Sequence, residues 1–251
     1  MQNNFLLNQE YINSKNFFDK GKGSRVFIKN KEFIDLGYCA GSLILGHNSK
    51  TLIESFNSII KKNISNLAYS NIHAVQLAKT IKKILPNYSK FIFCNSGTES
   101  VLKSLRICSA ISNNKKIVSV VGSWHGSVEN TLYSPDKNLN PIKLSDGLSE
   151  ASKKNIIFIP YNDIKNSKKI LDMYKKNIQC IIIEPVQGCL PLENSKKYLK
   201  FLEIYCKKNK IILFFDEMIT GLRTECSSVQ SIYKINPDIS TFGKCFGGGV
   251  P

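Results

Sequence analysis

A carboxylate and a lysine near the end of the 251-residue chain carry the clearest chemistry. Asp216 and Glu217 follow five consecutive apolar residues, Ile211 to Phe215. Lys244 follows a second short apolar segment, Ile239 to Phe242, with Gly247, Gly248 and Gly249 close behind. An apolar run with a lysine before it and carboxylates after it fits a strand buried on both faces of a parallel sheet. Open α/β sheets place their ligand sites outside the carboxyl ends of such strands. An amine and an acid, each at a strand end and 28 positions apart (244 − 216), suit a pyridoxal phosphate site. The lysine condenses with the aldehyde, and the acid pairs with the ring nitrogen and keeps the ring an electron sink. Spacing alone leaves blander alternatives open: a lysine after a strand is ordinarily solvated, and a strand-end Asp often only caps the next helix.

The elements that must position these groups alternate in type. Arg25 to Ile28 and Glu32 to Leu36 read as short strands around a Lys29-Asn30-Lys31 turn. They follow a polar stretch over residues 1–22 that reads as an arm or short helix. The glycine-bounded loop Gly41 to His47 leads into a helix over Ser49 to Lys62, and His47 reads first as a capping or packing residue. A helical pattern follows at Val75 to Leu85 and a short strand at Lys90 to Cys94. Asn95-Ser96-Gly97-Thr98 then turns into a helix with Val101, Leu102, Leu105, Cys108 and Ile111 on one side. A strand, a Ser-Gly-Thr turn and a helix start make a ready phosphate site, because free N–H groups and the helix dipole both favour an anion. A plain N-cap reads equally well from these residues alone.

Ile117 to Val121 reads as a buried strand leading to Trp124 and His125. Residues 127–155 read as a long surface excursion without periodicity. Ile156 to Ile159 is a strand, 165–177 a lysine-rich helix, and Cys180 to Ile183 a buried strand ending at Glu184. Residues 195–208 form the crossover helix into the Ile211 strand. Strands alternating with helices make a mostly parallel, doubly wound α/β sheet. Thr98, Trp124, Glu184, Asp216 and Lys244 all fall at strand exits along one edge of it.

Several motifs carry a resemblance. DEMITGLR followed by PDISTFGKCFGGGVP resembles the signature of class III pyridoxal-phosphate aminotransferases. Within that class, LILGH, IPYND and INPDISTFGK are most similar to glutamate-1-semialdehyde aminomutases, and NSGTES is similar to the family's phosphate-binding NSGTEA. The resemblance implies a fold type I transferase, with an N-terminal arm, hairpin and entrance loop over 1–60 and a cofactor-binding large domain over 61–251. It also implies that the family's C-terminal small domain is missing from these 251 residues, so that the chain reads as truncated after Lys244. Ser96, Gly97 and Thr98 would hold the cofactor phosphate. Trp124, followed by His125, would cover one face of the ring and Met218 the other. Glu184 would sit beside the ring, Asp216 on its nitrogen and Lys244 on its aldehyde.

The chain departs from the family at four of these places. Trp124 replaces a usual Tyr, Met218 a Val, Cys189 an Asn or Glu, and Ala40 the Trp usual in aminomutase entrance loops. The activity implied is amino transfer, within one molecule as from glutamate-1-semialdehyde to 5-aminolevulinate. The alternatives are ordinary transamination of another amino acid, amino sugar, aldehyde or ketone, and an inactive polypeptide that keeps the fold. A nucleotide-binding oxidoreductase is disfavoured, because no G-x-G-x-x-G follows the first strand. The partners expected are a small amino or keto substrate and, at full length, a second copy in a homodimer.

Bulk composition bears on the other classes. The net charge of +16 invites a nucleic-acid reading. Of the 35 basic residues, however, only Arg25, Arg106 and Arg223 are arginines, the residue type that base and bidentate phosphate recognition favours. Lysines scattered among 25 asparagines and many isoleucines are what A/T-rich coding produces, so they read as solvated faces and no nucleic-acid partner is expected. The eight cysteines, Cys226 among them, show no C-x-x-C pair and no metal spacing, as in a reducing cytosol. No apolar run reaches membrane-spanning length and no signal pattern opens the chain.

Overall fold

The computed structural model describes residues 17–62, 71–191, 194–223 and 227–250. Residues 1–16 of the expected arm, Cys226 and Pro251 lie outside them. The described residues form two compact units, one of residues up to 62 with Gly247–Val250, the other of residues 71–246.

In the first unit, β1 (Lys20–Lys22), β2 (Arg25–Ile28) and β3 (Lys31–Ile34) form an antiparallel sheet in that order. The expected hairpin is there, and Lys29 and Asn30, with φ of 48° and 68°, make the left-handed two-residue turn that matches strand twist. The end of the expected arm adds β1, which pairs with β2. His47 is held on both sides. Its backbone bridges to Gly23, and its Nε2 lies 2.7 Å from Asp35 Oδ2. Asp35 Oδ1 accepts from the N–H groups of Gly37 and Tyr38 at 2.9 and 3.0 Å. That supports a turn in which Tyr38, Cys39 and Ala40 all have positive φ. The helix α1 (Lys50–Lys61) follows Ser49 as expected.

In the second unit, five parallel strands form one sheet in the order β10-β9-β8-β4-β7. They are β4 (Lys116–Val120), β7 (Ile156–Ile159), β8 (Ile178–Ile183), β9 (Ile212–Glu217) and β10 (Ile239–Phe242). The helices are α2 (Ile72–Ile84), α3 (Gly97–Ile111), α4 (Glu150–Asn155), α5 (Ile164–Tyr174), α6 (Lys196–Asn209) and α7 (Val229–Tyr233). The period-two alternation of the strands builds two cores. On one face, Val118, Val120, Ile181, Ile183, Leu213 and Phe215 pack with α5, α6 and α7 through Leu171, Leu199, Leu202 and Val229. On the other, Ile117, Phe158, Cys180, Ile182, Ile212 and Phe214 pack with Val101, Leu105 and Cys108 of α3. The sheet is therefore wound on both sides, as the strand-helix alternation requires.

Two expectations need correction. Lys90 to Cys94 forms no strand: it has no ladder partner among the described residues, and Ile92 and Phe93 are exposed. Residues 127–155 are more than a surface excursion. They hold the hairpin β5 (Tyr133–Pro135) and β6 (Pro141–Lys143) and the helix α4, and bury Val128 and Tyr133 in the α3-side core. Strands of three residues with a proline at the end of one and the start of the next are too short to show a period.

The same alternation separates the two acids at the end of β9. Glu217 has the parity of Leu213 and Phe215 and turns to the α7 side, where it is fully buried. Its Oε2 accepts from Thr220 Oγ1 and Val229 N, each at 2.8 Å. Its Oε1 accepts from Gln230 N and Nε2 at 3.1 and 3.0 Å. Burial pushes this carboxyl up, against the donors that pull it down. Glu217 is thus a structural cap for α7. Glu217→Gln should cost about 2–4 kcal/mol of stability, since an amide facing Val229 N–H leaves buried donors unpaired. A denaturation midpoint equal to wild type would contradict that role, and activity per folded molecule should be retained.

Candidate functional site

Asp216 has the other parity, with Ile212 and Phe214, and faces the α3 side. It is 3% exposed, and its carboxylate is held from three directions. Oδ1 accepts from Met218 N at 3.1 Å and from Thr241 Oγ1 at 2.9 Å. Oδ2 lies 2.8 Å from Nδ1 of the buried His125. A carboxylate acceptor makes Nδ1 the protonated nitrogen. Nε2 is then left buried, with no partner among the described residues. Such an orphan is a cost that a bound group or water relieves.

His125 reaches Asp216 from the loop after β4, and that loop is pinned at several points. Glu184, at the exit of β8, accepts from Trp124 N through Oε1 at 2.8 Å and from Gly188 N through Oε2 at 3.0 Å. It joins the loops after β4 and β8, and burial raises its carboxyl above the usual range. Gln187 Nε2 donates to Val121 O at 2.7 Å and to Ser123 Oγ at 3.2 Å. Cys189 Sγ donates to Gly122 O at 2.9 Å. The Trp124 ring, by contrast, is 60% exposed and presents an open flat face.

The N-terminus of α3 lies beside this loop. Ser96 Oγ caps the helix by accepting from Glu99 N at 3.1 Å, so the plain N-cap is real. Beyond it, the N–H groups of Gly97 and Thr98 find no acceptor among the described residues and remain for an anion. Glu99 does not oppose that anion unpaired. A hydrogen bond from Lys103 holds its carboxyl low, and its Oε2 accepts from Asn95 N at 2.9 Å. Thr98 Oγ1 accepts from Ser127 N at 3.1 Å, tying α3 to the His125 loop. At that crossing Gly126 has φ 76°, and an added Cβ would lie 2.6 Å from Thr98 Oγ1, so only glycine fits.

Met218 joins the remaining parts. An added Cβ at Gly97 would lie 3.0 Å from its Sδ, and one at Gly243 only 2.0 Å. The thioether is therefore wedged between the start of α3 and the residue before Lys244. Lys244 is half-buried, with φ 49°, just past the end of β10. Because β10 pairs with β9 in the register Thr241 to Asp216, acid and lysine leave adjacent strands at the same sheet end.

These residues fit pyridoxal phosphate. There are two free N–H groups at a helix start, a buried carboxylate with acceptor capacity left, an open aromatic face and an amine one strand away. The sequence profile described as aminotransferase class-III matches residues 7–251. The chain belongs to the class III aminotransferases.

Its relatives in that family include glutamate-1-semialdehyde 2,1-aminomutases. The one from Thermodesulfovibrio yellowstonii is 33% identical over 94% of this chain and 56% of its own length. The one from Methanosphaera stadtmanae is 35% identical over 94% and 56%. Among solved structures, an omega-transaminase from Sphaerobacter thermophilus superposes with a TM-score of 0.86 at 24% identity, covering 94% of this chain and 56% of that one. A glutamate-1-semialdehyde aminomutase from Pseudomonas aeruginosa gives 0.82 at 17%, over 94% and 52%. These two share the fold with this class III chain, which spans about half the length of the relatives it matches. Thr241 and Gln187 are the site residues that the sequence did not single out. Each was findable only through strand register or loop contacts, which no local pattern encodes.

Proposed function

We propose that this chain forms the cofactor-binding part of a pyridoxal-phosphate-dependent enzyme that moves an amino group, with glutamate-1-semialdehyde as substrate and 5-aminolevulinate as product. The observation that carries the reading is the buried Asp216 carboxylate. It is fixed by His125, Thr241 and Met218 N–H at the same sheet end as Lys244 and the α3 N-terminus. The aminomutase relatives at 32–35% identity support the choice of substrate.

When bound, pyridoxal phosphate supplies an aldehyde and an electron-withdrawing ring. The chain's own groups do the rest. Gly97 and Thr98 N–H groups, with the Thr98 hydroxyl beside them, bind the phosphate at the positive end of α3. Asp216, with a lone pair left on Oδ2, would pair with the ring nitrogen and favour its protonated form. Trp124 would cover one face of the ring and Met218 would support the other. Lys244 Nζ would hold the cofactor's aldehyde and is the amine placed to move a proton during amino transfer. Glu184 and Gln187 act at a distance by holding the Trp124–His125 loop. The functional unit we propose is a homodimer.

A second reading, intermolecular transamination, is favoured by Ala40, which departs from the aminomutase pattern, whereas Cys189 lacks both the aminomutase Asn and the glutamate of dual-substrate relatives. The deciding experiment incubates the purified protein, loaded with pyridoxamine phosphate, with glutamate-1-semialdehyde and no other amino acceptor. The expected product is 5-aminolevulinate. Its absence, alongside turnover with an amino donor and a separate aldehyde or ketone, would overturn the aminomutase reading and leave the transaminase.

A further inference from the structure

We propose that Thr241 is a positioning residue whose hydroxyl sets the rotation of Asp216 and so aims the last open Oδ2 lone pair at the ring nitrogen. The inference rests on the cofactor reading above and adds to it a residue that touches no substrate atom.

A carboxylate has about four lone-pair sites. Three are taken: two on Oδ1 by Met218 N–H and the Thr241 hydroxyl, and one on Oδ2 by His125. The Met218 bond spans only two residues of the same turn and moves with Asp216. The Thr241 bond is different in kind. It crosses from β9 to β10, between residues paired directly in the parallel register. Three residues after Thr241 comes Lys244. One hydroxyl thus links the acid to the strand that delivers the amine.

The surroundings favour a fixed hydroxyl. Thr241 is 2% exposed, so its O–H has no solvent alternative to Asp216. Its branched Cβ narrows χ1 in a strand. Its strand neighbour two back, Ile239, packs into the α3-side core, which sets the face on which Thr241 sits. Without the hydroxyl, Oδ1 keeps one donor, and the carboxylate can swing about Cβ–Cγ and trade its oxygens. His125 then loses a steady partner too.

The test compares Thr241→Val, Thr241→Ser and Thr241→Ala. In the cofactor-free protein, nitrogen-15 NMR of His125 should show one sharp Nδ1–H tautomer in wild type and in T241S. In T241V and T241A it should show exchange broadening or a mixture. With pyridoxal phosphate bound, the same two variants should lose kcat by about 10- to 100-fold, the scale of one hydrogen bond to a charged group, with KM nearly unchanged. The pH at which the cofactor absorbance band changes should also shift from its wild-type value, because the ring nitrogen holds its proton less well. T241S should restore all three readouts. If T241V fails to fold, the Ser and Ala pair still isolates the hydroxyl. A wild-type His125 signal, kcat and absorbance profile in T241V, or in T241A where T241V does not fold, would overturn the inference. A wild-type protein that binds no pyridoxal phosphate would remove the cofactor reading instead, while the cofactor-free NMR comparison would still report on the Thr241–Asp216 link.

Discussion

Lys244→Ala should reduce amino transfer by at least about 10⁴-fold, because on the proposed reading one side chain would both anchor the aldehyde and carry the proton. Lys244 follows Gly243, which packs on Met218, so no other lysine can take its place at the end of β10 without rebuilding that contact. Stability should change little, since the residue is half-buried at a strand exit and bears none of the core. Two measurements check this. Steady-state turnover of K244A, and of K244R, which keeps the charge but has no free amine, should be near background for both. Borohydride reduction of the wild-type protein with bound pyridoxal phosphate, followed by peptide mapping, should place the pyridoxyl group on Lys244. Label on another lysine, or substantial turnover in K244A, would remove the assignment.

How much of this was legible beforehand varies with the kind of interaction. The apolar run Ile211 to Phe215 specifies the buried parallel strand β9, and the short segment Ile239 to Phe242 is occupied by the partly buried edge strand β10. Run length and flanking charge are local properties, so a sequence shows them. The role of Asp216 rather than Glu217 is half-legible. Period two says that the neighbours face opposite sides, but which side holds the site depends on where α3 packs. Thr241 was invisible, because a threonine in a strand is ordinary and its partner lies 25 residues back. Lys90 to Cys94 was misread for a related reason. Its short apolar run fits a strand, yet a strand exists only where a neighbouring edge pairs with it. In the Ser96 turn the plain N-cap holds: Ser96 caps α3, and the phosphate reading rests on the next two N–H groups, which find no acceptor among the described residues.

Asp216→Ala should lower turnover by about 10²–10³-fold or more, the effect of removing one preorganised charge from a buried site. Cofactor content should fall far less, because the α3 N–H groups and Lys244 remain. Three donors lose their acceptor in this variant: Met218 N–H, the Thr241 hydroxyl and His125 Nδ1–H. Stability should therefore drop as well, by about 1–3 kcal/mol per buried donor left unpaired, less whatever water recovers. Turnover must accordingly be expressed per folded, cofactor-loaded molecule, below the lowered melting midpoint. Asp216→Asn separates charge from hydrogen bonding. Its carbonyl oxygen can still accept from Thr241 and Met218, which returns most of the stability. Its neutral amide meets His125 and the ring nitrogen with a donor where an acceptor is needed. D216N should then be nearly as slow as D216A and markedly more stable. Wild-type turnover in D216A would reduce Asp216 to a cap of the Met218 turn. Turnover restored in D216N would mean that the acid acts by geometry alone and not by charge.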